Sequence, residues 1–159
     1  MAVEIERKFL VLDGSWRAQV THWIRIRQGY LNQAKECSVR VRVAAGQGWL
    51  NIKSVTLGAK RHEYEYEIPV QDAEEMLDTL CQRPLIEKIR YFVGFGDHLW
   101  EIDEFEADNQ GLVVAEIELT HPEEEFLRPP WLGQEVTHDM RYYNTYLAKT
   151  PFKFWRPQG

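Results

Sequence analysis

The chain has 159 residues, of which 44% are hydrophobic and 13% aromatic, and its formal net charge is −6. This composition predicts one globular domain over residues 1–159 and excludes an intrinsically disordered chain. The negative charge argues against a nucleic-acid binder, and the lack of a long apolar run or a signal peptide argues against a membrane protein. Cys37 and Cys81 lack metal-finger spacing, so we expect two reduced thiols in a cytoplasmic protein.

The first predicted strand covers residues 3–11 and places Glu4, Glu6 and Lys8 on one face. Two carboxylates two residues apart repel each other unless a cation lies between them, and the lysine beyond them suits an anion. A short pattern of this kind is more often a solvated sheet face than a site. It becomes informative here because the same charged alternation is repeated along the chain.

The remaining segments alternate in the same way until the period changes to that of a helix. Further strands are predicted over residues 23–31, 37–44, 49–55, 60–70, 85–94, 98–106 and 112–120. Helical spacing predicts a helix over residues 72–81 capped by Gln71 or Asp72, a short helix beginning at Pro122, and a last helix over residues 139–149. About eight strands with two or three helices predict an antiparallel α+β fold.

Nearly every predicted strand carries charge on one face, and the sign of that charge is sorted strand by strand. The acidic positions are Glu4, Glu6, Glu63, Glu65, Asp103, Glu116 and Glu118, and the basic positions are Lys8, Arg40, Arg42, Lys53, Arg61, Lys88 and Arg90. A closed barrel with a charged lumen, and with apolar residues packed outward on helices, explains this pattern. Buried charges are costly, so we expect opposite signs, water and a bound polyanion with metal ions to compensate them.

These residues, in this order, resemble the CYTH group of triphosphate tunnel metalloenzymes. The resemblance is carried by Glu4-x-Glu6-x-Lys8, Arg40-x-Arg42, Lys53, Arg61-x-Glu63-x-Glu65, Lys88-x-Arg90, Asp103, Glu116-x-Glu118 and the segment 135–144. It implies an eight-stranded antiparallel closed barrel that forms a tunnel flanked by a few helices. It also implies action on a triphosphate with Mg²⁺ or Mn²⁺. The short chain and its segment 27–31 are most similar to small bacterial members that hydrolyse inorganic triphosphate to pyrophosphate and phosphate.

The resemblance also implies roles for the charged positions. Phosphate oxygens are expected to be bound by Lys8, Arg40, Arg42, Lys53, Arg61, Lys88 and Arg90. Metal ions are expected near Glu4, Glu6, Glu63, Glu65, Asp103, Glu116 and Glu118. Among these, Glu6 with Glu116 and Glu118 is the predicted main metal site. Glu4, with Asp103 or Glu65, is predicted to position or deprotonate the attacking water. The expected catalytic residues are Glu4, Lys8 and Tyr30.

The position of Tyr30 is left open by the sequence. Simple parity places Tyr30 with Ile24 and Ile26 on the outer face of the barrel. A bulge at Gly29 would instead turn it into the lumen, where a phenol beside Lys8 is expected to have a lowered pKa.

Several functional alternatives also stay open. They are hydrolysis of an organic triphosphate such as thiamine or nucleoside triphosphate, cyclisation of ATP as in adenylyl cyclases, and non-catalytic binding of polyphosphate. The oligomeric state is also open, with a homodimer as one candidate. Arg141 and Asn144 are candidates to close one tunnel mouth, and ordinary surface positions are the alternative for both.

Overall fold

The structure is a computed structural model that describes residues 2–34, 36–54 and 60–155. Within these ranges the strands are β1 (Ala2–Val11), β2 (Val20–Gln33), β3 (Cys37–Ala44), β4 (Gln47–Ser54), β5 (Lys60–Ile68), β6 (Ile86–Phe95), β7 (His98–Phe105), β8 (Val113–Glu118) and β9 (Leu132–Glu135). The α-helices in the same ranges are α1 (Val70–Thr79) and α2 (Asn144–Leu147). Short 3-10 turns cover Ser15–Gln19, Ala107–Asn109, Met140–Tyr142 and Phe152–Phe154. Val55, the last residue of the predicted fourth strand, lies outside the described residues.

The antiparallel sheet closes on itself through β1. Around the ring the order is β5-β4-β3-β2-β6-β7-β8-β1, and β1 pairs back with β5, so that Glu4 lies opposite Arg61. One edge of β1 pairs with β8, while the other edge pairs with β5 near its start and with β9 near its end. The prediction of an eight-stranded closed antiparallel barrel with few helices is confirmed.

The short strand β9 is absent from the sequence prediction. It contains Gly133, where an added Cβ would lie 2.9 Å from the carbonyl oxygen of Leu10. A side chain at this position would collide with β1, so close backbone approach requires glycine there. Because glycine and short length leave no alternating apolar pattern, the pairing could not be seen in the sequence.

Apolar side chains pack on the outside of the barrel, as the sequence predicts. Phe9, Trp100 and Trp131 are buried on this outer side, and the rings of the two tryptophans meet edge to face with centroids 5.5 Å apart. On another part of the barrel, α1 buries Ala73 and Leu77 against the outer faces of β3 and β4. Burial of such side chains supplies the main favourable free energy of the fold, leaving the inner face for charges.

The helix predicted over residues 72–81 is present with shifted bounds, whereas the short helix predicted at Pro122 is wrong. Helix α1 begins two residues earlier than predicted, with Pro69 at its N-cap position instead of Gln71 or Asp72. Pro122 begins a turn and no helix, and the carboxylate of Glu124 accepts hydrogen bonds from the backbone N–H and hydroxyl of Thr120. That side chain therefore ties the segment back to the end of β8.

The predicted last helix over residues 139–149 is interrupted. A 3-10 turn over Met140–Tyr142 is followed by the extended residue Tyr143, with φ −93° and ψ 146°, and then by α2. The Tyr143 hydroxyl donates a hydrogen bond to the carbonyl oxygen of Thr137 at 2.6 Å. This tertiary contact accompanies the break, and no local sequence signal reports it. None of the helices in the described ranges is long and apolar enough to cross a membrane.

Candidate active site

The barrel encloses a cavity of about 1010 Å³ lined mainly by charged side chains. In the described part of the chain, its carboxylates are Glu4, Glu6, Glu63, Glu65, Asp97, Glu101, Glu116, Glu118 and Glu124. The cations that line it are Lys8, Arg40, Arg42, Lys53, Arg61 and Arg90. The fold therefore brings the predicted site residues together around one cavity, except Lys88 and Asp103, which face inward but are buried and do not belong to the described lining.

One side of the cavity, here called the acidic wall, consists of the inward-facing carboxylates of β1, β7 and β8. The strand register places Glu101 directly opposite Glu116, and Glu6 directly opposite Glu118. Like charges at directly opposite positions repel each other. Burial and neighbouring carboxylates raise the pKa of Glu118, with Glu4 the largest contributor among those neighbours. Burial also raises the pKa of Glu101 against the opposing effect of Arg90, with which it forms an ion pair at 3.0 Å.

The opposite side, here called the basic wall, consists of Arg40 and Arg42 on β3 with Lys53 on β4. In the eight-strand ring, β3 and β8 are four strands apart in either direction, so the two walls face each other. Arg40 is 6% exposed and makes no ion pair with any described residue, and its Nε is buried without a described hydrogen-bond acceptor. The guanidinium of Arg42 has one described ion pair, with Glu65 at 3.7 Å.

Burial and neighbouring positive charges lower the pKa values of Lys53 and Arg42 in the basic wall. Burial, together with the charges of Arg40 and Arg61, lowers the pKa of Lys53 to about 8. The Glu4 carboxylate opposes this shift only in part. Burial also lowers the pKa of Arg42 to about 10, with Arg40 and Arg90 as repelling neighbours. This wall therefore carries a surplus of positive charge that a bound anion would relieve.

Lys8 and Arg61 join the two walls. The Lys8 ammonium donates a hydrogen bond to Glu116 and lies 3.7 Å from Oε1 of Glu6. The same Glu6 oxygen lies 3.2 Å from the Arg61 guanidinium, which also reaches Glu4 at 3.4 Å. Burial opposes the charged form of Lys8, but the Glu116 and Glu6 carboxylates outweigh it and raise the pKa of Lys8. The arrangement therefore favours the cationic form of Lys8.

Asp103 and Lys88 form a buried ion pair next to the cavity. Asp103 accepts two hydrogen bonds from Arg90, at 2.8 and 2.9 Å, and Lys88 lies 2.6 Å from one of its oxygens. Both carboxylate oxygens of Asp103 thus contact protein cations. Burial lowers the pKa of Lys88 to about 8 despite this carboxylate. The geometry makes Asp103 a support for Arg90 and Lys88.

Tyr30 faces the lumen, and the parity argument that placed it on the outer face is wrong. Ile24 and Ile26 also face inward, because they lie directly opposite Arg90 and Lys88 of β6. The irregularity in β2 lies beyond Tyr30, while Gly29 faces outward, where an added Cβ would lie 2.8 Å from Cβ of Cys81. The expected lowering of the Tyr30 pKa is also wrong, since burial raises it against nearby cations.

The C-terminal segment closes one end of the lumen. Leu147, fully buried, packs among inward-facing apolar residues that include Tyr30, Ile86 and Phe105. Tyr143, Asn144 and Thr145 line the cavity at this end. Asn144 therefore has the position expected of a closing residue. Arg141 instead pairs with Asp139 at 2.6 Å and is not among the described cavity-lining residues.

Several residues of the site are not predicted from the sequence, among them Glu101, Asn51 and Tyr143. Glu101 shares the inner face of β7 with Asp103, and that parity could have identified it. Asn51 is fully buried and donates hydrogen bonds to Glu63 and Glu65, but its neutral side chain carries no charge that marks the inner face. Tyr143 comes from a segment distant in sequence, so no local pattern identifies it.

The donor set of the acidic wall fits a hard divalent cation. Its oxygens are all carboxylate oxygens, the ligands that Mg²⁺ and Mn²⁺ prefer. Oε2 of Glu4 is buried without a described hydrogen-bond donor. Within the described residues no three acidic, histidine or cysteine side chains already converge as a metal-binding group, because Lys8 and Arg61 pair with carboxylates of this wall. A cation bound there would share these carboxylates with Lys8 and Arg61.

A closed antiparallel barrel whose lumen opposes a basic wall to an acidic wall defines a receptor for a polyanion accompanied by cations. The family model described as the CYTH domain matches residues 2–151. The chain belongs to the CYTH domain family, and the resemblance inferred from the sequence is confirmed.

Characterised relatives match nearly the whole chain. An inorganic triphosphatase of Acetivibrio thermocellus is 47% identical over 153 residues, which cover 96% of this chain and 97% of the relative. An inorganic triphosphatase of Nitrosomonas europaea is 37% identical over 152 residues, covering 91% of this chain and 96% of the relative. A crystal structure of an inorganic triphosphatase superimposes with a TM-score of 0.64 at 36% identity, covering 91% of this chain and 97% of that one.

Proposed function

We propose that this protein is a metal-dependent hydrolase that converts inorganic triphosphate to pyrophosphate and phosphate. The observation that carries the proposal is Arg40, a buried guanidinium that has no ion-pair partner among the described residues and faces an acidic wall across one cavity. A buried unpaired charge is strongly unfavourable, so its natural partner is a bound anion. The names of the two relatives support triphosphate as that anion.

The basic residues bind and orient the phosphate chain. Arg40, Arg42 and Lys53 supply charge-assisted hydrogen bonds to non-bridging oxygens, and the planar guanidinium suits bidentate contact. Arg90, held by Asp103, reaches the same cavity from β6. Asp103 accepts hydrogen bonds from Arg90 and so keeps its guanidinium in place, while Lys88 pairs with the same carboxylate. Tyr30 serves as a neutral hydrogen-bond donor, because burial raises its pKa.

The acidic wall would hold the divalent cation, Mg²⁺ or Mn²⁺, with Glu6, Glu116 and Glu118 as its main ligands. Glu63 and Glu65 extend this carboxylate set toward the basic wall, where Asn51 orients both. When bound, the cation supplies neutralisation of charge on the phosphoryl oxygens. Burial and carboxylate repulsion raise the pKa of Glu118, and a bound divalent cation would relieve that repulsion.

Hydrolysis then needs one aligned water. Its oxygen forms a bond to a terminal phosphorus while the bond from that phosphorus to the bridging oxygen breaks. The electron pair of the broken bond leaves on pyrophosphate, and the proton of the water passes to Glu4 and then to solvent. Lys8 and Arg61 remain cationic and neutralise charge that develops on the transferred group.

Product analysis tests this proposal against the alternatives. The full chain is incubated with inorganic triphosphate, ATP or thiamine triphosphate, with Mg²⁺, Mn²⁺ or EDTA, and the anions are separated by chromatography. We expect equal amounts of phosphate and pyrophosphate from inorganic triphosphate, and none with EDTA. Cyclic AMP with pyrophosphate would identify a cyclase, faster cleavage of thiamine triphosphate an organic triphosphatase, and binding without turnover a polyphosphate-binding module.

A matched control uses a charge on the outer face of the barrel. Arg25 pairs with Glu106 at 3.0 Å and is exposed, so Arg25→Gln changes the net charge as a lumen arginine substitution would. This variant is expected to hydrolyse triphosphate as the wild type does. We further propose that residues 1–159 form one domain of a cytoplasmic protein. Size-exclusion chromatography with light scattering tests whether it forms a homodimer.

A further inference from the structure

Tyr143 is a cavity residue to which neither the charge pattern nor the proposed reaction assigns a role. It is 5% exposed and lies at the closed end of the lumen, between the 3-10 turn Met140–Tyr142 and α2. Its backbone is extended where the flanking residues are helical. The chain therefore breaks its last helix at the residue whose side chain enters the cavity.

The Tyr143 ring covers two cations of the site. The Lys8 ammonium lies 4.7 Å from the ring centroid, and the Arg61 guanidinium carbon lies 6.0 Å from it. Both cations contact one oxygen of Glu6, at 3.7 and 3.2 Å respectively. The face of an aromatic ring attracts cations, most strongly where water is excluded. The ring thus contacts the two groups that fix Glu6, the proposed main metal ligand.

Hydrogen bonds fix this ring relative to the strand that carries Lys8. The Tyr143 hydroxyl donates to the carbonyl oxygen of Thr137 at 2.6 Å, and the Thr137 hydroxyl accepts from the backbone N–H of Lys8 at 3.0 Å. Thr137 is 2% exposed, so both contacts are shielded from solvent. Burial raises the pKa of Tyr143, so the phenol keeps its proton and this donor role.

We propose that Tyr143 is a positioning residue for phosphoryl transfer, whose ring holds the Lys8 and Arg61 cations, and through them Glu6, in the reacting arrangement. The inference rests on the proposed triphosphatase function. Substrate contact is not required of Tyr143, since its effect passes through Lys8 and Arg61. Loss of the ring should therefore lower kcat more than it changes KM, because the basic wall that binds phosphate is untouched.

Three variants separate this role from simple packing. Tyr143→Phe keeps the ring and loses the hydroxyl, Tyr143→Leu removes the ring, and Tyr142→Leu removes a neighbouring ring that packs on Trp155. We expect Tyr143→Leu to lower kcat about tenfold and Tyr143→Phe to stay within about threefold of wild type. Tyr142→Leu controls for loss of packing, and we expect its kcat to match the wild type. Equal losses in Tyr143→Phe and Tyr143→Leu, or wild-type kcat in Tyr143→Leu, would overturn the proposal.

A spectroscopic measurement tests the contact without relying on turnover. In protein labelled with ¹³C-lysine, the ring current of Tyr143 should shift the Lys8 CεH₂ resonance upfield in the wild type and in Tyr143→Phe. The shift should vanish in Tyr143→Leu, or in Tyr143→Met if the leucine variant does not fold. An unshifted Lys8 resonance in the wild type would overturn the inference whatever the activity. An inactive wild-type enzyme would instead refute the triphosphatase proposal itself, and the positioning role would be lost with it.

Discussion

Arg90 donates two hydrogen bonds to Asp103, from Nε at 2.8 Å and from Nη2 at 2.9 Å. Lys88 contacts the same carboxylate at 2.6 Å, so one buried anion pairs with the buried Lys88 and the partly buried Arg90. The pair Arg90 and Asp103 also shares one register position across β6 and β7. Asp103 therefore determines where the Arg90 guanidinium enters the cavity.

Asp103→Asn should destabilise the protein strongly. The substitution keeps the shape of the side chain but leaves the buried Lys88 without its counter-ion and the partly buried Arg90 with Glu101 alone among its described partners, which should lower the free energy of unfolding by about 3–5 kcal/mol. Urea denaturation measures this change. The exposed pair Arg25 and Glu106 supplies the control, because Glu106→Gln should cost less than about 1 kcal/mol. An Asp103→Asn variant as stable as wild type would show that this carboxylate is not needed as a counter-ion.

The value of kcat/KM for triphosphate should fall as the pH rises through about 8. Burial and neighbouring cations lower the pKa of Lys53 to about 8, so its phosphate-binding charge is present below that pH and lost above it. Lys53→Arg should make the decline shallower, because arginine keeps its proton while Lys88, also with a pKa of about 8, still titrates. Initial rates between pH 6 and 10 test this prediction. An unchanged profile in Lys53→Arg would remove Lys53 from the titration.

Glu6→Gln should lower kcat by about 100-fold or more while leaving triphosphate binding measurable. The substitution removes one carboxylate from the proposed metal site, whereas the basic wall remains complete. Glu67→Gln is the matched control, since Glu67 is an exposed glutamate that bonds to Gln47 and does not belong to the described cavity lining. Turnover assays with calorimetric titration of triphosphate separate the two effects. Wild-type turnover in Glu6→Gln would exclude Glu6 from the mechanism.

The barrel could be predicted from the sequence because its strands alternate strictly. The predicted strand over residues 37–44 is the observed β3, Cys37–Ala44, where Arg40 and Arg42 line the cavity and Val41 is buried under α1. A lumen rich in charge inverts the usual pattern, so the charged face itself marks the interior. Strand β9 could not be predicted because its pairing depends on the close contact of Gly133 with β1, which is distant in sequence.

The site could be predicted only where charge marks the inner face. On β2, Ile24 and Ile26 are apolar and their parity therefore predicts the outer face. Both instead face the lumen, opposite cations of β6. Charge does not mark the inner face where the inward side chains are apolar. Tyr30 shares the face of these isoleucines, so its predicted outward position is wrong for the same reason. Tyr143 shows the other limit, because it reaches Lys8 through the fold and not through any spacing in the sequence.

Arg40 is a buried positive charge that has no described carboxylate partner until an anion enters the cavity. Arg40→Met should therefore stabilise the free protein by about 1–4 kcal/mol. Triphosphate should add much less stability to this variant than to the wild type. For the wild type, triphosphate at 100 times its Kd should add about 2.7 kcal/mol of stability.

Thermal unfolding of wild type and Arg40→Met, each with and without triphosphate and Mg²⁺, tests the opposed-wall arrangement most directly. We predict that the variant has the higher Tm when free, and that triphosphate raises Tm strongly only in the wild type. A variant that is less stable when free and equally stabilised by triphosphate would contradict an anion site built on this unpaired charge.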